Sequence, residues 1–284
     1  MPPRKKIGES SKKRQKVRAQ EEETKVVDNA FHSSEDSVRF YNEISPRVVV
    51  FGKIVDFPFF AHHHINLKEL FQAQGWENFH NLRKTQYTTL FKHFYTRFHL
   101  DNHGKITSYV KGKTISLTLN TLATILGVPR TSLQHYTTND WMQFQGYDLL
   151  ESICQMCCNP NIQHVQKRTN TELTIESQLI YHIITHNILL RSGSYEYISY
   201  LELFFIWCIL NRVKIDLAFN IAWHMDTCVK KKNAALPYGH HITSILEKFD
   251  IDLSGEKVTR KVLPSDVYGT TIMKQMRYIL RENI

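Results

Sequence analysis

TIESQLIYHIITHNILLRSGSYEYISYLELFFIWCILNRVKIDLAFNIAWHMDTCVKKK, Thr174 to Lys232, is the most apolar and most regularly patterned stretch of the chain. Three helices are legible in it. The first is predicted over about Ile175 to Leu190, where the rows Ile175/Leu179/Ile183 and Ile180/Ile184/Ile188 form one apolar face at helical period. Thr174 stands where an N-cap hydroxyl accepts from a first-turn amide, and Gly193 where a left-handed residue ends a helix. The second covers about Tyr197 to Arg212. Its middle, Leu203 to Leu210, is apolar on every side and is expected to be buried all round. The third follows Asp216, a candidate N-cap, and ends in Lys230, Lys231 and Lys232, cations suited to the negative end of a helix dipole.

The apolar run of the second helix is eight residues long. A membrane span needs about 20, and Glu202, Asn211, Arg212 and Lys214 bracket the run, so a buried core helix is expected. A chain of 284 residues with 42% hydrophobic content can bury a sizeable core. Five cysteines, an odd number, suit free thiols in a reducing compartment. No apolar segment follows the basic N-terminus, so no signal peptide is read there.

The net charge of +9 is uneven. Residues 1 to 18 hold eight Lys or Arg and one Glu, which leaves about +2 for the remainder. Arg4, Lys5, Lys6, Lys12, Lys13, Arg14, Lys16 and Arg18 form two clusters, and Lys12 to Lys16, KKRQK, has the compact pattern of a nuclear import signal. A solvated tail that touches phosphates without sequence preference is the plainer reading. Residues 1 to 37 are therefore expected to be a disordered basic tail, with nuclear localisation and nucleic-acid contact as its candidate roles.

From Val38 the pattern is that of a folded chain. Arg47 to Phe57, RVVVFGKIVDF, is β-branched and reads as extended. His62, His63 and His64 are consecutive, so their side chains diverge and one metal cannot collect them from a regular element. LKELFQAQ is a short helix between Asn66 and Gly75. Tyr87, Leu90, Phe91, Phe94, Tyr95 and Phe98 recur at three and four, an amphipathic helix with Arg83, Lys84, Lys92, His93 and Arg97 largely on other faces. Basic residues among rings can be a nucleic-acid surface; an aromatic core stripe with a solvated basic face is the bland alternative. KITSYV and KTISL, joined at Lys111-Gly112, read as a β-hairpin. Leu119 onward is a helix with Thr118 as N-cap, stopped by Gly127 and Pro129.

This order of motifs carries a resemblance. Gly75-Trp76 and Phe79, then the aromatic helix, then SYVKGKTISLT, then a short helix ending LGVP, resemble the putative plant transposon protein domain of retrotransposon-derived plant proteins related to Athila-type elements. The resemblance covers about residues 38 to 253. It rests on order and spacing, and it implies an origin in a mobile element of a plant host. No catalytic residues come with it.

Between the halves, Cys154, Cys157 and Cys158 form C-x-x-C-C, but only His164 lies nearby, short of the four ligands a structural zinc needs. Buried free thiols on a helix are expected. Residues 254 to 269 read as a polar connector, and the chain closes in an amphipathic helix through Ile272, Met276 and Ile279. Signatures of reverse transcriptase, aspartic protease, phosphate loop, zincin and serine hydrolase are absent from the sequence. Glu202 is the odd residue, an acid in the oiliest helix; a position reaching solvent is expected, since burial would demand a partner and raise its pKa. The sequence thus predicts a mainly α domain with one small β-hairpin behind a basic tail. No cofactor, metal, membrane or small-molecule substrate is called for. The expected function is that of a non-enzymatic interaction or assembly domain, self-associating or binding protein partners; the alternative is a nucleic-acid-binding accessory protein acting through the tail and Lys230 to Lys232.

Overall fold

A computed structural model describes residues 30–82, 84–134, 139–191 and 193–278. In chain order, α1 (Ser34–Arg39) runs into one wide π-turn, Phe40–Ile44, followed by β1 (Ile54–Val55), α2 (Phe57–His62), α3 (Leu67–Gln74) and α4 (Thr88–Thr96). Then β2 (His99–Leu100), β3 (Ile106–Val110) and β4 (Lys113–Leu117) form an antiparallel sheet in the order β2-β3-β4. The helices α5 (Leu119–Leu126), α6 (Leu149–Cys157), α7 (Ile175–Ile183), α8 (Tyr200–Leu210), α9 (Leu217–Lys230) and α10 (Gly239–Lys248) make up most of the body. β5 (Val267–Tyr268) and α11 (Thr270–Gln275) follow. The class is mainly α, as the sequence predicts, and the predicted hairpin gains a short third strand.

The oily helix α8 sits at the centre of its half because no face of it is polar. It packs against α3, α6 and α7, and Leu203, Phe204, Phe205, Ile206, Cys208 and Ile209 are all buried. Its start is fixed by a reciprocal cap: the Ser199 hydroxyl accepts from Glu202 N–H, and the Glu202 carboxylate accepts from Ser199 N–H. Asp216 caps α9 as expected, accepting from Phe219 N–H at 3.1 Å. That carboxylate is fully buried and also takes Arg130 Nε at 2.8 Å and Gln134 Nε2 at 2.9 Å.

The end of α7 departs from expectation. The helix does not run to Leu190 and stop at Gly193; it widens into a π-turn over Ile184–Ile188, and Leu189 N–H reaches back to Ile184 O at 2.8 Å. The cause is local. The Thr185 hydroxyl donates to Tyr181 O at 3.0 Å, competing for a carbonyl of the ladder. The extra residue turns Asn187 inward, where its Oδ1 accepts from Lys53 N–H at 2.6 Å. Gly193 lies in the loop beyond.

In the N-terminal half, α4 lies across β3, and α5 is held between α9 and α10. The hairpin turns at Lys111 (φ 48°) and Gly112 (φ 80°), both left-handed, the geometry whose twist matches paired strands. Gly75 ends α3 at φ 77°, and a Cβ there would stand 2.8 Å from Pro129 Cδ, so both backbone shape and close approach require glycine. Arg47 to Phe57 is not one strand. Val49 bridges Leu236, and only Ile54–Val55 pairs, parallel, with Val267–Tyr268. The break falls at Gly52, where Asn187 Oδ1 crowds the backbone. The polar connector is also structured at its end: Asp266 is buried between Lys53 and Arg260, and Ile272 and Met273 of α11 dock into the core.

Candidate functional site

The charged residues at the end of α9 converge on an opening. A surface cavity of about 650 Å³ lies between the α1/π-turn segment and the α9 C-terminus, with Arg39, Glu43, Arg47 and Val48 on one side and Lys230, Lys232 and Ala234 on the other. Arg47 anchors it. Its guanidinium donates from Nε to Ala234 O at 2.8 Å, from Nη1 to Val229 O at 3.3 Å, and from Nη2 to Cys228 O. A helix ends with carbonyls that have no partner in the helix, and a buried cation there meets both those acceptors and the negative dipole end. Lys92 Nζ donates to Ser45 O behind the same wall. Lys230 Nζ lies 2.6 Å from Asp226, and Arg39 Nε 3.7 Å from Glu43. Lys231 and Lys232 remain exposed. The lining residues include one carboxylate and no histidine, cysteine or hydroxyl side chain. Such a cleft can hold an anion; it has no nucleophile–base pair of its own.

A thiol does stand beside an imidazole one turn inside. Cys228 Sγ is 3.5 Å from His224 Nε2, His224 Nδ1 is 2.7 Å from the Tyr238 hydroxyl, and that hydroxyl donates to Ile188 O. This order assigns the proton to Nδ1 and leaves Nε2 to accept from the thiol. Burial pushes Cys228 up to about 11 and His224 down to about 3. A reactive cysteine needs the reverse shifts, toward thiolate and imidazolium. The chain is a buried relay that ties α9 to α10 and the α7 turn. The spacing of His224 and Cys228, four apart on one helix, was a signal available in the sequence.

Glu202 does not reach solvent, contrary to expectation: it is 2% exposed. Its Oε2 accepts from Ser199 N–H at 2.7 Å, and Oε1 faces Arg191 Nε at 3.3 Å. Burial raises its pKa, against the pull of the Ser199 amide and Arg191. Arg191 also donates to the Tyr181 hydroxyl at 2.7 Å, and His186 stacks on Tyr195 with ring centres 4.4 Å apart. The basic residues among the rings of α4 are likewise engaged inside the chain: Lys84 with Glu247, Arg97 with Asp36, and His93 stacked on Phe40.

A family model described as a putative plant retrotransposon-related domain matches residues 72–252. This chain belongs to that family. No curated protein and no solved structure matches it significantly. In this retrotransposon-related domain the matched segment carries Lys230, Lys231 and Lys232, while Arg39 and Arg47 lie ahead of it. The tail residues Arg4, Lys5, Lys6, Lys12, Lys13, Arg14, Lys16 and Arg18 lie outside the described residues. Cys154 and Cys157 are half-buried and Cys158 is exposed, so the three thiols are less buried than expected. His62 and His64 are exposed at the end of α2, and no group of three metal-ligating side chains occurs among the described residues. No helix among them is long and apolar enough to cross a membrane.

Proposed function

We propose that this plant retrotransposon-derived chain works as a non-enzymatic interaction and assembly domain. The observation that carries this reading is the composition of the cleft at the end of α9: cations and small apolar side chains on an open surface, with a single carboxylate. The buried carboxylates add support, because they hold elements together: Asp216 caps α9, Glu202 caps α8, and Asp266 locks the C-terminal strand. A domain of this kind contributes a rigid body with a charged docking face. Sedimentation velocity over a wide concentration range, with affinity capture on the full chain, tests it. Association with copies or with a macromolecular partner is expected; a strict monomer that captures nothing overturns the proposal. The two basic clusters of the tail support a nuclear site of action. A fluorescent fusion should concentrate in nuclei and lose that pattern when Lys12, Lys13, Arg14 and Lys16 are changed to Gln.

A further inference from the structure

We infer that the cleft at the α9 C-terminus binds the phosphate backbone of single-stranded nucleic acid. The inference rests on the interaction-domain reading above and names its partner. Three independent features converge on it.

Charge comes first. Arg39, Arg47, Lys230 and Lys232 line the opening against one acid, Glu43. That is a net +3, against +5 for the whole of residues 30–284. More than half of the excess charge outside residues 1–29 is therefore gathered at one place. A surface with both signs interspersed needs no such arrangement; a polyanion track does.

The order of the cations is the second feature. Arg47 is 9% exposed and held by three carbonyl acceptors, so it forms a fixed floor of positive charge. Lys230 is held by Asp226, whereas Lys231 and Lys232 reach into solvent. A preset floor with mobile rim cations suits a chain of evenly spaced phosphates.

The third feature separates nucleic acid from an acidic peptide. On the segment that supplies Arg39 and Glu43, and next in sequence to the lining residue Asn42, Tyr41 is 60% exposed, with its ring edge-on against Phe40 at 5.1 Å. Val48, a lining residue, is 68% exposed. An exposed ring backed by a second ring can stack an unpaired base of a strand that follows this segment. An acidic peptide has no use for it.

The test is fluorescence anisotropy of a labelled single-stranded oligonucleotide of mixed sequence, titrated with the full chain from 50 to 300 mM salt. The comparisons are the triple variant Lys230→Gln, Lys231→Gln, Lys232→Gln and the single variant Tyr41→Ala, each checked for native circular dichroism and melting. A labelled polyglutamate peptide of equal charge runs in parallel. The triple variant should bind at least tenfold more weakly at low salt. Its plot of log K against log salt should be shallower by about 2, since each single-strand phosphate contact contributes about 0.7. Tyr41→Ala should weaken binding about tenfold, the size of one lost stacking contact, with the slope unchanged. If the triple variant fails to fold, Lys231→Gln with Lys232→Gln, both at exposed positions, replaces it and should lower the slope by roughly 1.4. Unchanged binding by the folded variants would assign all affinity to the tail and overturn the inference. Tighter cleft-dependent binding of polyglutamate would also overturn it, while leaving the interaction-domain reading in place.

Discussion

His80 is the sharpest place to test the energetics of this core. It sits in the turn after Trp76, 2% exposed, with its ring edge-on to Phe71 at 4.9 Å and beside Phe79 at 5.1 Å. Neither ring nitrogen has a hydrogen-bond partner. A neutral imidazole here leaves one N–H and one lone pair unmet, a cost of about 1–3 kcal/mol. His80→Leu removes both groups and keeps an apolar side chain in the site. Repacking offsets part of the gain, by about 1 kcal/mol, so a net stabilisation of about 1 kcal/mol is expected at pH 7.5. The pH dependence is more diagnostic. Burial pushes the His80 pKa down to about 3, from about 6.5 in the unfolded chain. A depressed folded pKa means that the unfolded state takes up the proton first. The stability it contributes is complete above pH 6.5 and is lost as pH falls toward 3. Between pH 7.5 and 5.0 one such site costs about 2 kcal/mol. The advantage of His80→Leu should therefore grow from about 1 to about 3 kcal/mol over that range. Urea unfolding followed by tryptophan fluorescence at both pH values measures it; the buried histidines other than His241, whose proton affinity His80 itself lowers, cancel in the difference. A variant that is less stable at pH 7.5, or whose difference from the native chain does not change with pH, refutes the reasoning.

Substitutions at three further positions probe other joints. Arg47→Met strips the α9 carbonyls of their charged donor and should cost about 2–3 kcal/mol, lowering Tm by roughly 3–6 °C in calorimetry. Asp216→Ala removes a helix cap and leaves Arg130 unpaired beside a buried site, so a loss of about 3–5 kcal/mol is expected; Asp216→Asn retains the cap and should lose less than half of that in chemical denaturation. Gly75→Ala forces a side chain into a left-handed position 2.8 Å from Pro129, and equilibrium unfolding should show a loss of about 2 kcal/mol or more.

What the sequence revealed was local chemistry. Asp216, Thr118 and the Lys111-Gly112 turn were legible because a cap or a turn is decided within four residues. The helical periods of α7, α8 and α9 were legible because burial selects one face, or all faces, of each. Features set by distant partners were not legible. Arg47 lies in a β-branched run that suggests a strand, yet its bonds go to residues more than 180 positions away. Glu202 looked like a solvent-reaching acid because its neutralising partner, Arg191, lies in the loop before the helix and arrives through the fold. The π-turn escaped notice for a different reason: a threonine four residues after a helical carbonyl, as Thr185 is after Tyr181, also occurs in regular helices. Of the cleft, the sequence showed Lys230 to Lys232 and not the wall of Arg39 and Arg47 that faces them.

The most direct measurement of the central claim is amide hydrogen exchange of the full chain with and without a single-stranded oligonucleotide. Slowed exchange concentrated in residues 39–48 and 229–235 is predicted, because those segments form the two walls of the cleft. Protection confined to residues 1–29, or spread over faces remote from α9, would contradict the account.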